Sequence, residues 1–343
     1  MSYPNDGGSG SATTQSACGG DAAVSITRFV ACGEWVSTLT TLTNGQLTGE
    51  AQFEVISTQT LDPATPDFIN DYKFTTIGEP WGDAVGSVLT GQGACFGTGC
   101  TDVVTNFQPT AVEPEDGQLI AGSVFGATAP GPGAVVSVYT ALSAYLEIPD
   151  RGPSPSILYK NTAARCDNAV PGASNSECVY ADMIPTLHID TTNISNAALH
   201  VNQAQTSGLV GSLATGPLTR FTMDSYNTAN RGVACPDSSS APWLQRPPGD
   251  SCDEYPLAGT LNGAWFEQLT GAGPRTFGQC NIDLSLRPGG AGASQGVHGW
   301  SICMIPGVEN SAAGSRVQGA WVANRVINYD RFYLDMTGTS GGV

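Results

Sequence analysis

The acidic stretch D-S-C-D-E-Y-P at residues 250–256, with its counterpart P-G-V-E-N-S at residues 306–311, decides the predicted architecture of this chain. The first stretch places two adjacent carboxylates, Asp253 and Glu254, between a cysteine and a proline. The second places Glu309 and Asn310 between an apolar run and a segment with helical periodicity. Proline restricts the backbone, so these carboxylates can be held in one geometry, as a catalytic or metal site requires.

The segments around the second stretch predict a strand followed by a helix. Residues 300–306 (W-S-I-C-M-I-P) are apolar enough for a buried strand. Residues 311–326 carry the apolar residues Val317, Ala320, Trp321 and Val326. Ala320 and Trp321 follow Val317 by three and four residues, the spacing of one helix face, which favours a helix. Carboxylates at such a junction suit Mg²⁺ or Mn²⁺, which take oxygen ligands. By composition alone, D-E-Y-P fits a capped turn with solvated acids better than a site.

The length of the chain predicts two domains, because 343 residues exceed the size of one ordinary core. Forty-three glycines, 22 prolines and two lysines are typical of a protein rich in strands and loops. We expect a flexible leader over 1–17 and an acidic, all-β, sandwich-like domain of unknown role over 18–155. A second domain would cover 156–343, after the proline-containing segment R-G-P-S-P-S at 151–156.

The ten cysteines form an even set without a Cys-x-x-Cys pair, which favours disulfides over zinc sites. Pairing of sequence neighbours would join Cys18 to Cys32, Cys95 to Cys100, Cys166 to Cys178, Cys235 to Cys252 and Cys280 to Cys303, although sequence alone leaves the connectivity open. Disulfides indicate an oxidising compartment, so we expect a secreted protein whose signal peptide has been removed. No stretch reaches 18 uninterrupted apolar residues, so no membrane span is expected.

The net charge of −17 is unevenly distributed. Residues 1–150 hold 16 acids against two bases, a balance of −14, and residues 151–343 hold 14 acids against 11 bases, a balance of −3. All arginines except Arg28 lie beyond residue 150. The first half should therefore repel a polyanion, whereas the second could bind one where its arginines cluster.

Several motifs, taken in their order along residues 160–343, give the chain a family resemblance. C-D-E-Y-P-L-A at 252–258 and P-G-V-E-N-S-A-A-G at 306–314 are preceded by R-C-D-N at 165–168, A-L-H-V-N-Q-A at 198–204 and N-R-G-V-A-C-P at 230–236. In this order they resemble the NucA/NucB family of secreted deoxyribonucleases, in its longer, cysteine-containing form. The chain departs from close relatives at L-A-G-T-L (257–261), where they have F-A-S-T-Y, and at E-N-S-A-A-G-S (309–315), where they have E-N-S-S-Q-G-G.

The resemblance implies an α+β nuclease domain with a ββα-metal-like site, behind the all-β domain. It implies a metal-dependent endonuclease that cleaves DNA with little sequence specificity, using Mg²⁺ or Mn²⁺. Asp253 corresponds to the general base and Glu254 supports it, while Glu309 and Asn310 correspond to the metal and phosphate site, with Glu309 also catalytic. Residues at family positions or on the predicted basic side would contact DNA: His200, Arg231, Arg246, Arg316 and Arg325.

A different class of function also fits the sequence. The acidic, Thr- and Gly-rich first half and the altered motif neighbours suit a non-enzymatic extracellular protein, such as a surface, filament or adhesion subunit with a degenerate nuclease domain. Trp35 and Trp81 in the first half could line a protein or carbohydrate partner, although packing explains them too. We expect a monomer, whereas self-assembly of the metal-free protein without cleavage of DNA would favour this second reading. Cleavage of DNA by a monomer would separate the two readings.

Overall fold

The computed structural model describes residues 18, 24–128, 130–237, 239–241, 243–288 and 296–338. The leader predicted over 1–17 lies outside the described residues. The chain divides into two compact units, the first made of 1–129 and 136–166 and the second of 130–135 and 167–343. The division after 166 replaces the boundary predicted at 155/156. Residues 157–160 form a strand of the first unit and pair with residues 141–144.

In the described part of the chain up to residue 167, the secondary structure consists of strands. They are β1 Val24–Ser25, β2 Val30–Thr43, β3 Gln46–Leu61, β4 Asp67–Thr76, β5 Trp81–Gly82, β6 Val88–Gly97, β7 Cys100–Phe107, β8 Thr110–Ala111, β9 Leu119–Thr128, β10 Val135–Ile148, β11 Gly152–Pro153, β12 Ile157–Lys160 and β13 Ala164–Asp167. One sheet has the order β1-β2-β3-β4-β9-β7, with β5 added to β3. In a second sheet, β10 pairs with β6, β11 and β12, and β6 pairs with β8.

The first unit is a sandwich because its long strands alternate between buried and exposed residues. Along β3, buried and partly buried residues alternate from Gly49 to Thr58, so one face of the sheet is apolar. Side chains from both sheets meet in one core, where Phe74 of β4 packs edge-to-face on Phe107 of β7 and Tyr159 of β12. The alternation therefore fixes which face of each sheet is buried.

The second unit combines short strands with four helices in its described residues. They are β14 Glu177–Val179, β15 Thr186–His188, α1 Ser195–Thr206, β16 Leu218–Thr219, α2 Asp224–Ala234, β17 Asp250–Tyr255, α3 Ala264–Leu269, β18 Pro274–Arg275, β19 Trp300–Pro306, α4 Gly307–Ala323 and β20 Arg331–Asp335. β19 is paired with antiparallel β17 and parallel β18. β20 lies between parallel β15 and antiparallel β16. The strand predicted over 300–306 is confirmed.

The predicted fold class is wrong. The described part of the chain is mostly β, with 41% of its residues in strands and 17% in helices, and its sheets form sandwiches. The expected α+β nuclease domain with a ββα-metal-like site does not describe this class. The prediction failed because the motifs at 252–258 and 306–314 report local order around a few polar residues. Strand-forming residues elsewhere determine the overall class.

The disulfide prediction is confirmed. The structure joins Cys18 to Cys32, Cys95 to Cys100, Cys235 to Cys252 and Cys280 to Cys303. Cys166 and Cys178 are disulfide-bonded as well. Among the described residues, no helix is both long and apolar enough to cross a membrane.

Candidate functional site

Three of the residues predicted for the catalytic and metal site meet in one cleft of the second unit. Asp253 and Glu254 are on β17, opposite Cys303 and Ile302 of β19, and Asn310 is in the first turn of α4, which follows β19 directly. The cleft has a volume of about 500 Å³. Its walls come from α1, α2, β17, the segment that follows β17, and α4: Ala197, Val201, Arg231, Cys235, Cys252, Asp253, Glu254, Leu257, Ala258, Gly259, Asn310, Ala313, Gly314, Val317, Gln318, Trp321 and Met336.

A buried histidine holds the Asp253 carboxylate in place. Nδ1 of His200, on α1, lies 2.6 Å from Oδ2 of Asp253, and its Nε2 lies 2.9 Å from Oγ of Ser301 on β19. The Asp253 carboxylate accepts from Nδ1–H, while the Ser301 hydroxyl shares a hydrogen bond with Nε2 and donates to the carbonyl of Tyr255 at 3.4 Å. His200 and Ser301 are fully buried, whereas 15% of the Asp253 side chain is exposed. Only the carboxylate end of this chain of hydrogen bonds therefore reaches the cleft.

This order of exposure argues against a serine nucleophile. In a Ser-His-Asp hydrolase site, the serine hydroxyl must reach the substrate and the aspartate is buried behind the histidine. Here the serine is the innermost of the three groups, and its Oγ also lies 3.4 Å from the carbonyl of Tyr255. The chemistry accessible in the cleft is that of a carboxylate acting as a base.

Glu254 lies in the same cleft in a different environment. The pKa of Glu254 is raised to about 8, first by burial and then by the Asp253 carboxylate, while the Arg231 guanidinium opposes the rise. The distance between Nε of Arg231 and Oε1 of Glu254 is 3.8 Å, and the Arg231 side chain is 68% exposed, so this ion pair is weak. Glu254 therefore keeps its proton at neutral pH, whereas Asp253 has a hydrogen-bond donor at its carboxylate.

Asn310 and Glu309 are adjacent in sequence, but their side chains bind different parts of the second unit. Nδ2 of Asn310 donates to Oγ of Ser251 at 2.9 Å and to the carbonyl of Cys252 at 3.1 Å, so the amide connects α4 to β17 beside Asp253. The two carboxylate oxygens of Glu309 accept instead from the backbone N–H and from Nδ2 of Asn196, each at 2.8 Å. Asn196 is in the first turn of α1, and Glu309 is not among the residues that line the cleft.

The donor set of the cleft fits a divalent ion of the Mg²⁺ type. Mg²⁺ is usually bound through one or two carboxylates, with water and substrate phosphate completing its shell. The carboxyl groups of Glu254 and Asp253 and the amide oxygen of Asn310 are oxygen donors in the same cleft. Among the described residues, no group of three or more His, Cys, Asp or Glu side chains forms a ready-made cage.

Three of the arginines predicted to bind DNA lie on or near the surface of the second unit. Arg231 lines the cleft. Arg246 donates to the carbonyls of Cys235 and Pro236 at 3.2 and 2.9 Å, and is exposed. Arg316, on α4, is partly exposed and donates to the carbonyl of Asp190. All three guanidinium groups keep hydrogen atoms that phosphate oxygens could accept.

Two residues predicted to contact DNA, Arg325 and His200, are buried, and this corrects the prediction. Arg325 is fully buried, with Nη2 2.7 Å from Oδ1 of Asp167 and Nη1 3.0 Å from Oε2 of Glu177. A phosphate cannot reach a guanidinium enclosed by two carboxylates. His200 is also fully buried, and both its ring nitrogens have partners inside the protein. It orients Asp253 and does not contact DNA.

Sequence reasoning missed Ser301 and Asn196. Ser301 is the one hydroxyl in the apolar run 300–306, and a polar group in a buried strand needs a partner, so this signal was present. Asn196 had no comparable signal. Ile194 occupies the cap position of α1, and its side chain makes no capping hydrogen bond.

Comparison with known proteins assigns this chain to no group. No family model matches it, and no curated protein matches it. Among solved structures, it is similar to the crystal structure of the cupredoxin domain of amoB from Nitrosocaldus yellowstonii at 14% identity and a TM-score of 0.15. The match covers 28% of this chain and 57% of that one, and a likeness this low carries no argument about fold or function.

Proposed function

We propose that this chain is a secreted endodeoxyribonuclease that hydrolyses DNA phosphodiester bonds with Mg²⁺ or Mn²⁺ and with little sequence specificity. The main support is the Asp253 carboxylate, which is open to a cleft on one side and held by buried His200 on the other. The resemblance of residues 160–343 to the NucA/NucB family agrees with this role. The paired cysteines support an oxidising, extracellular location.

In this proposal, Asp253 accepts a proton from the water that attacks phosphorus. The new bond joins the water oxygen to phosphorus, the bond from phosphorus to the leaving oxygen breaks, and the leaving oxygen takes a proton from solvent. The hydrogen bond from His200 keeps one carboxylate oxygen occupied, so the other is directed to the water. A divalent ion held by Asn310 and by Glu254, which would release its proton on binding the ion, would neutralise charge on the scissile phosphate.

The test is cleavage of plasmid DNA by the full oxidised protein with Mg²⁺, with Mn²⁺ and with EDTA. Removal of a general base lowers a rate by about 10² to 10⁴, so Asp253→Asn should abolish nicking within the assay range. Asp250→Asn is the matched control, because it removes the same charge from the same strand at a position outside the cleft. It should cleave like the parent. Full activity of Asp253→Asn would overturn the assignment.

One observation favours the non-enzymatic alternative, in which an extracellular binding protein carries a site that no longer cuts. Glu309, the expected metal ligand, is bound to Asn196 and does not line the cleft. A folded protein that leaves plasmid intact with either metal would support this reading. The first unit would then carry the function, through a protein or carbohydrate partner.

A further inference from the structure

The end of the cleft at Gly259 contains a buried cation that the proposed chemistry does not use. Arg220 follows β16 and is only 6% exposed. Its Nη1 donates to the carbonyls of Phe221 and Gly259 at 3.0 and 2.8 Å. Its Cζ lies 3.7 Å from the centre of the Trp321 ring. Gly259 and Trp321 both line the cleft, so the guanidinium lies directly behind the cleft wall.

The charge of Arg220 is not balanced by an acid. Its contacts within the described part of the chain are carbonyls and an aromatic ring, and burial alone lowers its pKa to about 10. Nε of Arg220 is buried without a partner, as is Nε1 of Trp321 in the same wall. Arg325, which is fully buried in the same unit, has two carboxylates. A buried cation without a counter-ion is costly, and an anionic ligand would offset that cost.

The absence of a side chain at Gly259 allows the Arg220 guanidinium to lie next to the cleft. A Cβ at position 259 would lie 2.3 Å from Nη1 of Arg220 and 3.2 Å from the Trp321 ring. Any larger residue would push the guanidinium away from the wall. Nδ2 of Asn230 donates to the carbonyl of Ala258 at 2.7 Å, which fixes α2 beside the same segment. Arg231, the next residue of α2, also lines the cleft and is exposed.

We propose that this end of the cleft is a phosphate subsite, formed by Arg220 behind Gly259 and by Arg231 at the rim. Arginine is suited to this role because its planar group donates in pairs to phosphate oxygens. Nε of Arg231 lies 3.8 Å from Oε1 of Glu254, so the subsite adjoins the carboxylates. Because Asp253 would serve the phosphate that is cleaved, the phosphate bound here is a neighbouring one of the bound strand, an assignment that rests on the proposed nuclease function.

The experiment measures binding of inorganic phosphate to the full chain carrying Asp253→Asn, in EDTA, by isothermal titration calorimetry. Thermal stabilisation is not the readout, because phosphate stabilises most proteins by exclusion from their surface. Arg220→Lys keeps the charge but loses the paired donors, and should weaken binding by about tenfold, since hydrogen bonds to charged groups contribute about 1.5–3 kcal/mol. Arg331→Gln removes a charge from an exposed position of β20 outside the cleft and should leave binding unchanged.

A second variant covers the case in which Arg220→Lys does not fold. Phosphate bound beside Arg220 should change the tryptophan fluorescence of the parent, because Trp321 contacts Arg220. Trp321→Phe keeps an aromatic ring beneath Arg220 and should remove that change. Absence of phosphate binding, or equal binding by the Arg220→Lys and parent proteins, would overturn the subsite. Phosphate binding that depends on Arg220 in a protein that does not cut plasmid would support the subsite and remove only the nuclease proposal.

Discussion

At the scale of single residues, the orientation of Asp253 depends on His200. Replacing His200 with Gln removes the 2.6 Å contact to Asp253 while keeping a polar side chain of similar volume. We expect kcat for plasmid cleavage to fall by about tenfold to a hundredfold, as is usual when the partner of a functional group is lost, with KM little changed. His200 contacts no substrate, so a positioning role predicts this split.

The chain offers a matched control for that variant. His188 makes the same type of contact, with Nδ1 2.8 Å from Oδ2 of Asp335, but its side chain is 45% exposed and lies outside the cleft. His188→Gln should leave both kinetic constants unchanged. An increase in KM with constant kcat in His200→Gln would contradict the positioning role.

Ionisation of Glu254 makes the free energy of unfolding depend on pH, and the direction of this dependence can be predicted. Its pKa is raised from 4.5 to about 8 in the folded protein. Between these values the folded state binds a proton that the unfolded state has lost, so the free energy of unfolding decreases as pH rises from about 4.5 to 8. Above pH 8 the loss is complete. Its size is on the order of a few kcal/mol.

Glu254→Gln should remove this dependence, because the amide does not titrate. Urea unfolding in EDTA should give similar stabilities for the two proteins at pH 4, and a more stable variant at pH 8.5. Asp330→Asn, in a turn of the same unit that is not part of the cleft, serves as control and should follow the parent. Parallel pH curves for Glu254→Gln and the parent would show that Glu254 ionises normally in the folded state.

At the scale of elements, Glu309 connects α4 to the start of α1. α1 has no acidic residue in its first turn and no side-chain cap of its own, so the Glu309 carboxylate supplies both the acceptor and the negative charge. Glu309→Gln should lower the free energy of unfolding by about 1 kcal/mol. It should retain cleavage within a few-fold when measured well below its Tm.

The opposite result would restore the role predicted from the family resemblance. If Glu309→Gln unfolds like the parent but no longer cleaves, Glu309 is a metal ligand that leaves Asn196 when the ion binds. Asn196→Ala distinguishes the two roles further. It removes one of the two donors to Glu309, so it should lower stability if Glu309 caps α1, without abolishing cleavage.

Elements were predictable where local pattern decides them. β19 was predicted with correct bounds because an apolar run ending in proline leaves little choice. α4 was expected over 311–326 but spans Gly307–Ala323. Its first turn has no apolar periodicity to mark it. Its end is set by Arg325, whose φ of 47° is left-handed because the side chain is held by Asp167 and Glu177.

Contacts between distant residues were not predictable in the same way. The motifs brought Asp253, Glu254 and Asn310 to the cleft, because β17 pairs with β19 and β19 leads directly into α4. The partner of Asp253 is 53 residues away on α1, and that of Glu309 is 113 residues away. Burial of His200 and Arg325 follows from packing that no local pattern encodes, so both were mistaken for DNA contacts.

At the scale of the whole molecule, the mostly β class and the distribution of charge depend on composition over long stretches. The sandwich of the first unit follows from alternating strands such as β3, and was visible in the sequence. The class of the whole chain was not, because weight was given to a few motif residues. The charge of each segment follows from the sequence without knowledge of the fold. Predictions from charge therefore do not depend on the fold class.

The charge distribution predicts how DNA binding should respond to salt. Each arginine that neutralises a phosphate contributes about −0.9 to the slope of log K against log salt. With Arg231, Arg246 and Arg316 as the contacts, the slope is about −2.7, and affinity should fall roughly 40-fold between 50 and 200 mM NaCl. Binding of duplex DNA to the Asp253→Asn protein, measured by fluorescence anisotropy, tests this value.

Single variants then show which arginines take part. Arg231→Gln and Arg316→Gln should each reduce the slope by about 1, whereas Arg331→Gln should leave it unchanged if that position is remote from the DNA. The net charge of −17 repels DNA as a whole, so the attraction must come from this local group. A slope near zero would mean that DNA does not bind at the cleft. In that case the second unit would keep the geometry of a base and lack the means to bring a phosphodiester to it.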